Sequence, residues 1–188
     1  MDKDFFKVYV TEIKNESCID NLKIFLSEEE LISLKKQKNR LRALQTLYSR
    51  GLIAYAMKEN GYEYEYIKKD KNNKPYFENC NLKVGISHSG NKVAVFLGTV
   101  DGGIDIQRKK EIKVKKENTI FKKEDLEKQR ADKFHLCKVF SLYECKYKYQ
   151  KEISKNAIIT DFSHKDYFFY VISENVLPVI RYMDIQMK

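Results

Sequence analysis

Two neighbouring segments carry the residue types best suited to chemistry on phosphates. Ser87-His88-Ser89-Gly90 offers hydroxyls, an imidazole and turn amides, which can together donate several hydrogen bonds to a phosphate. The second segment, Gly102-Gly103-Ile104-Asp105-Ile106-Gln107, follows an apolar strand-like run. Because side chains alternate across a strand, Asp105 and Gln107 should share one face and could bind a hard cation such as Mg²⁺. The two segments suggest an anion and a metal ion held side by side.

Structural roles remain open for the same groups. A histidine in a turn, and a polar face on an edge strand after a glycine turn, are common without any ligand. A nucleophilic serine activated by His88 is disfavoured, because adjacent side chains on a strand diverge. The sequence therefore favours a phosphate contact over a Ser–His dyad for this segment.

A third group lies on a predicted helix further along the chain. Phe140, Glu144 and Lys148 follow one another at four-residue intervals and share a helix face. The alternative is a surface Glu–Lys pair worth roughly 0.3–0.5 kcal/mol. Phe140 on the same face indicates that this side of the helix is only partly exposed to solvent. In such a place the carboxylate of Glu144 and the ammonium of Lys148 would suit a site for a metal ion and a phosphate.

The elements that would position these groups follow from periodicity and turn residues. Residues 5–13 alternate as a strand, and a helix begins at the capping Ser27 and runs to about Asn60. Residues 62–68 and 82–86 are predicted strands, 92–100 and 103–107 paired strands, and 132–150 a second main helix. Residues 108–133 are a charged connector. The closing strands are predicted at 157–160, 167–173 and 177–184. The leucines and alanine expected to form the buried stripe of the first long helix are Leu31, Leu34, Leu41, Leu44, Leu47, Leu52 and Ala56.

Composition bounds the class of protein. The chain has 188 residues and a formal net charge of +9, which favours an anionic partner or simple solubility. The cysteines lack CxxC spacing, so we expect reduced thiols and a cytoplasmic protein without structural zinc or disulfides. No signal peptide or membrane-spanning run is expected.

The first helix is rich in cations that could meet a phosphate or an acidic partner, or form a solvated face: Lys35, Lys36, Lys38, Arg40, Arg42 and Arg50.

Taken together, four segments resemble the motifs of the 4'-phosphopantetheinyl transferase superfamily, in its two-half monomeric, surfactin-synthetase-activating class. Asn73-Lys74-Pro75-Tyr76 is similar to a Gly-Lys-Pro turn, and Ile86–Gly90 matches a Ser-His-Ser signature. Gly103–Gln107 resembles a Gly-Ile-Asp-x-Glu strand, and Phe140–Lys148 a Trp-x-x-Lys-Glu-x-x-x-Lys helix. The motifs occur in the family's order and span most of residues 40–150.

The resemblance implies a fold and an activity. The fold is α+β, with two similar halves (residues 1–100 and 101–188) related by a pseudo-twofold and the site between them. Such enzymes move the phosphopantetheine arm of coenzyme A to a serine of an apo carrier protein, releasing adenosine 3',5'-bisphosphate. The implied partners are coenzyme A, Mg²⁺ and an acidic acyl or peptidyl carrier protein. Neither nucleic acid nor membrane is implied, and the expected state is a monomer.

The resemblance also assigns roles by position. Mg²⁺ would be bound by Asp105, Gln107 and Glu144. The base would be Glu144 or a metal-bound water, with Lys148 and, by a weaker match, Glu124 in catalytic roles. Residues implied to contact coenzyme A are Arg42 (or Arg40), Lys74, Ser87, His88 and Lys148.

Three positions depart from the family pattern. Gln107 stands where the family has Glu, Tyr143 where it has Lys, and Phe140 where it has Trp. The first two changes keep open a non-catalytic or weakly active homologue that binds coenzyme A or carrier protein. A nucleic-acid-binding module that uses the basic balance and aromatic residues is a further alternative.

Overall fold

The computed structural model describes residues 4–14, 19–114 and 120–183, and the chain is an α+β protein. In chain order the strands are β1 (Phe6–Glu12), β2 (Lys68–Lys69), β3 (Pro75–Tyr76), β4 (Lys83–Ser89), β5 (Lys92–Gly98), β6 (Gly102–Arg108), β7 (Ala157–Asp161), β8 (Tyr167–Glu174) and β9 (Val179–Met183). The helices are α1 (Ile19–Lys23), α2 (Glu28–Lys36), α3 (Arg40–Glu59), α4 (Lys123–Lys128) and α5 (His135–Tyr149).

Four layers stack in the order helix, sheet, sheet, helix. One hydrophobic cluster packs α3 against a four-stranded sheet, through residues such as Leu52 and Val95. A second lies between the two larger sheets, where Phe6 and Phe96 meet Ile104 and Ile106. A third hydrophobic cluster packs α5 against the three-stranded sheet, on the face that points away from the four-stranded sheet. Both faces of each sheet are therefore covered, which explains why strands such as β5 are apolar on both sides.

The strand orders link the two ends of the chain. The first sheet has the order β4-β5-β1-β9, with β9 parallel to β1 and the remaining pairs antiparallel. The second sheet has the antiparallel order β6-β8-β7. The division of the chain at residue 100 stays a prediction about domain organisation, but β9 from the C-terminal part completes the sheet built from the N-terminal part.

The predicted single helix after Ser27 was wrong in one respect, because the structure has two helices there. Ser27 is the N-cap of α2 as expected, and it also forms a capping box with Glu30; α2 ends at Lys36. Asn39 then begins α3 by accepting a hydrogen bond from the Arg42 backbone at 3.0 Å. Such a side-chain cap competes with continued helix, so the chain turns between the two helices. Leu41, placed in the first exposed turn of α3, is 42% exposed and does not join the predicted buried stripe.

Two strand predictions were also wrong. The runs at 92–100 and 103–107 form β5 and β6, but these strands belong to different sheets and do not pair. Both edges of β5 are already occupied by β4 and β1, so the chain crosses to the second sheet after Gly98. Within residues 62–68, only Lys68 enters a strand, in the short β2–β3 pair. The other predicted strands and the second main helix lie where expected, within a few residues at each end.

Parts of three predictions lie outside the described residues: Cys18, positions 115–119 of the connector and Asp184 at the end of the last strand. The thiols of Cys80, Cys137 and Cys145 are free. Among the described residues, no helix combines the length and the apolarity that a membrane span requires.

Candidate functional site

The Asp105 carboxylate is the centre of a buried polar cluster. Its Oδ1 atom accepts hydrogen bonds from Ser87 Oγ at 2.9 Å and from Lys148 Nζ at 2.6 Å. Its Oδ2 atom accepts from Ser141 Oγ at 2.7 Å. The side chain of Asp105 is only 5% exposed, whereas that of Lys148 is 31% exposed. A buried carboxylate is stable only when it is paired and hydrogen-bonded, and these three neighbours meet that requirement.

The spacing of Ser87 and Ser89 has a structural reason. β6 lies at the edge of its sheet, so alternate backbone N–H groups point away from β8 and need other acceptors. Ser87 Oγ accepts from the Ile106 backbone at 3.1 Å, and Ser89 Oγ accepts from the Arg108 backbone at 3.0 Å. The two hydroxyls on one face of β4 therefore join the first sheet to the second and fix β6 beside it.

Close packing of α5 on β6 brings the helix residues to Asp105. A Cβ atom added to Gly103 would lie 2.3 Å from the Cys145 carbonyl oxygen, so only glycine allows this approach. Ser141 and Lys148 lie two helical turns apart on the face of α5 turned toward Asp105. Glu144 lies between them in sequence and is half-buried. The helix motif and the strand motif thus meet at one place.

A cavity of about 210 Å³ opens next to this cluster. Lys74, Glu144 and Lys148 contribute its charged groups, and Tyr147 also lines it. The apolar part of the wall comes from Val84, Ile86, Phe96 and Ile104. Lys148 is the residue common to the cavity and to the Asp105 cluster. The arrangement suits a ligand with an anionic group and an apolar portion.

Lys74 is set by a tight turn. Asp70 Oδ1 accepts from the Asn72 and Lys74 backbones, each at 2.8 Å, and Asn73 adopts a positive φ of 61°. Asparagine tolerates this left-handed conformation better than most residues. Partial burial lowers the pKa of Lys74, an effect opposed by Asp101 and reinforced by Lys151. A half-buried ammonium beside a cavity is a suitable contact for a phosphate.

His88 lies on the other face of β4 from Ser87, as alternation requires. Burial lowers the pKa of His88, and the positive charges of Arg42 and Lys148 lower it further, while Asp105 opposes them. Arg42 itself is exposed in the first turn of α3. The charge of Arg42 therefore acts on His88, and the lowered pKa favours the neutral imidazole, which can still donate or accept a hydrogen bond.

The remaining candidate residues are less closely associated with Asp105. Gln107 is partly buried on β6, two residues beyond Asp105 and on the same face. Glu124 is exposed on α4, which contacts α5 through Asp125 and His135 Nε2, 3.1 Å apart. Tyr143 is 44% exposed on α5. The structure thus brings Ser87, Lys148 and Asp105 into direct contact and leaves Glu124 apart.

No protein-family model matches the chain, and no curated protein matches it either. The site must therefore be interpreted from its own residues.

The oxygen atoms at and near Asp105 are of the kind that Mg²⁺ prefers as ligands. In the part of the chain that the structure describes, no three or more His, Cys, Asp or Glu residues form a cluster able to hold a metal. Mg²⁺, however, is usually held by one or two carboxylates together with substrate phosphates. Asp105 and Glu144 supply two carboxylates and Gln107 an amide oxygen, so the donor chemistry fits. The ammonium of Lys148 is the competing cation at Asp105.

Sequence reasoning missed Ser141. It is fully buried and donates directly to Asp105, yet it was only the unnamed second residue of the helix motif. A signal was available, because Ser141 is seven residues before Lys148 and so shares its face. Nothing in the sequence indicated that the hydroxyls of Ser87 and Ser89 would accept hydrogen bonds from the backbone of the edge strand β6.

Proposed function

We propose that this protein transfers the 4'-phosphopantetheine arm from coenzyme A to a serine of an apo carrier protein, with Mg²⁺ as cofactor. The observation that carries the proposal is the cluster around Asp105, where three of the four sequence motifs contribute contacting side chains. The fourth motif supplies Lys74 to the adjoining cavity. Under this proposal the fold belongs to the transferase type, with two halves related by a pseudo-twofold.

The charges of the cavity support phosphate binding. Two ammonium groups, those of Lys74 and Lys148, line the cavity and can contact an anionic ligand, and Lys148 is at the same time paired with the buried Asp105. Arg42, exposed in the first turn of α3, adds a positive charge that is close enough to act on His88. In this proposal the lysines bind and orient the pyrophosphate of coenzyme A. The apolar wall around Ile86 and Ile104 receives part of the ligand that carries no charge.

Glu144 is the group best placed to accept the proton of the acceptor serine. Its carboxylate lines the cavity, is half-buried and lies on the helix face next to Lys148. A carboxylate within reach of the attacking hydroxyl can act as general base while the positive groups stabilise charge that develops on the leaving phosphate. Mg²⁺, when bound by Asp105, Glu144 and Gln107, would supply further neutralisation of the pyrophosphate. The net charge of +9 suits an acidic carrier protein.

The decisive experiment mixes the purified protein with coenzyme A, Mg²⁺ and several apo carrier proteins, with mass spectrometry of each carrier. We expect one or more carriers to gain the mass of the arm. Glu144→Gln should lower the transfer rate by roughly 10²–10⁴-fold, the usual effect of losing a general base. Glu152→Gln, an exposed acid just beyond α5, is the matched control and should retain the wild-type rate.

Each alternative predicts a different result in the same experiment. Carrier binding without any gain in mass, together with coenzyme A binding, would identify the non-catalytic homologue suggested by Gln107 and Tyr143. Oligonucleotide binding without coenzyme A binding would favour the nucleic-acid module. Wild-type transfer by Glu144→Gln would remove the base assignment and leave the activity intact.

A further inference from the structure

The ammonium group of Lys148 occupies the position beside Asp105 where a metal ion is expected. Lys148 Nζ lies 2.6 Å from Asp105 Oδ1 and 3.1 Å from Ser87 Oγ. We propose that Lys148 is the resident counter-cation of Asp105, and that a divalent cation binding at Asp105 displaces the ammonium group into the cavity. The inference rests on the proposed function, because that function supplies the reason to expect a metal.

The burial of the two partners explains why a counter-cation is needed. Asp105 is almost completely buried, and a buried carboxylate without a positive partner is strongly destabilising. Only Lys148 among its three hydrogen-bonding neighbours carries a charge. In the absence of metal, the ammonium therefore keeps the site neutral and folded.

The hydrogen bonds at Asp105 favour replacement of the Lys148 ammonium by the divalent cation over binding of both cations at once. A carboxylate oxygen has two lone-pair directions, and those of Oδ1 are used by Ser87 and Lys148. The Ser87 hydroxyl is held in place by the Ile106 backbone, which donates to it. A second cation beside Lys148 would also be repelled by its charge. Of the two partners at Oδ1, the ammonium is thus the one that a cation displaces.

The structure offers a place for the displaced group. Lys148 is partly exposed, lines the cavity and has a long flexible side chain, whereas Asp105 is fixed from the other side by the buried Ser141. Released from Asp105, the ammonium joins Lys74 in facing an anion bound in the cavity. Metal binding would in this way prepare the cavity for phosphate, and Ser141 acts as a positioning residue for the carboxylate.

The first test measures Mn²⁺ binding by electron paramagnetic resonance, without coenzyme A or carrier. Lys148→Met should bind Mn²⁺ at least about fivefold more tightly than the wild type, since the competing cation is gone. Lys146→Met, an exposed lysine on the same helix, is the matched control for the general loss of one charge and should bind Mn²⁺ as the wild type does. Unchanged or weaker binding by Lys148→Met, or no binding by either protein, would overturn the inference.

A second measurement uses the wild-type protein, so it does not depend on the folding of a variant. Acetic anhydride labelling, followed by mass spectrometry of peptides, should show greater acetylation of Lys148 with Mg²⁺ than without it. Equal or lower labelling with Mg²⁺ would contradict displacement. Failure of this inference is distinguishable from failure of the proposed function, because arm transfer is measured separately: unchanged labelling with active transfer rejects only the displacement, whereas displacement without transfer rejects only the activity.

Discussion

At the scale of single residues, the polar cluster couples protonation and charge to folding. Asp105 is satisfied by two hydroxyls and one ammonium, so removing any of the three leaves a buried polar group with fewer partners. Losing a hydrogen bond to a charged acceptor usually costs about 1.5–3 kcal/mol. His88 lies close enough to Lys148 and Arg42 for their charges to affect its proton affinity. The site is therefore sensitive to pH as well as to mutation.

The free energy of unfolding should fall as the pH is lowered, partly because protonation of His88 is less favourable in the folded state than in the unfolded state. Burial lowers the folded-state pKa of His88 below its ordinary value of 6.5, so the unfolded state binds more protons as the pH drops below that value. The free energy of unfolding should decrease from pH 6.5 down through the folded-state pKa, and urea titrations between pH 8 and 5 measure it. His88→Gln should lose less stability than the wild type over this range.

The matched control for this prediction is His164→Gln, because His164 is exposed. It should keep the pH dependence of the wild type. A His88→Gln variant with the same pH dependence as the wild type would show that another group is responsible.

At the scale of elements, the site depends on how closely α5 lies on β6. The approach requires glycine at position 103, where an added Cβ would be 2.3 Å from the Cys145 carbonyl oxygen and 2.9 Å from the Tyr149 nitrogen. On the other side, β6 is fixed to β4 by the serine hydroxyls. The strand is thus held between a helix and a second sheet, and its single buried carboxylate faces the helix.

Gly103→Ala should therefore force α5 away from β6. We expect a loss of about 1–3 kcal/mol in the free energy of unfolding, as is usual for overpacking, and shifted NMR amide signals at Asp105 and along α5. Gly61→Ala is the control: Gly61 has a positive φ of 79° and nothing within 4 Å of an added Cβ. It should cost about 1–2 kcal/mol through backbone strain and shift only nearby signals. Unmoved α5 signals in Gly103→Ala would contradict the close-packing argument.

At the scale of the whole molecule, β9 unites the two parts of the chain. It follows the three-stranded sheet in sequence but pairs with β1 of the four-stranded sheet. Ile180 on β9 packs on the cluster between the sheets, which also contains Phe6 and Ile106. The two sheets share one core, so they should unfold together.

Ile180→Ala tests this cooperativity. The lost contacts should cost about 2 kcal/mol, and hydrogen exchange should show the same loss of protection in β5 and β8. Tyr182→Ala on the same strand is the control, because Tyr182 is 69% exposed, and it should change stability by no more than about 0.5 kcal/mol. Loss of protection in β5 with β8 unchanged would indicate that the two sheets unfold independently.

The sequence by itself determined the α+β class, most of the strands and the second main helix, and it pointed to Ser87, Asp105 and Lys148 as candidate residues. These follow from local patterns: alternation along a strand, helical spacing, and capping or turn residues such as Ser27 and Asn73. The resemblance to a transferase family also depends on short motifs, which are local. Gly103 lies in a predicted strand, but no local pattern indicated that α5 would pack against it.

Only the tertiary structure decided which elements meet. The separation of β5 from β6, the return of β9 to β1 and the pairing of Lys148 with Asp105 all join residues far apart in the chain or assign neighbours to different sheets. Such choices depend on which edges are already occupied and which charges are buried together, and these are properties of the packed molecule. For that reason the sequence supplied the candidate metal ligand Asp105, while the fold supplied the lysine that competes for it.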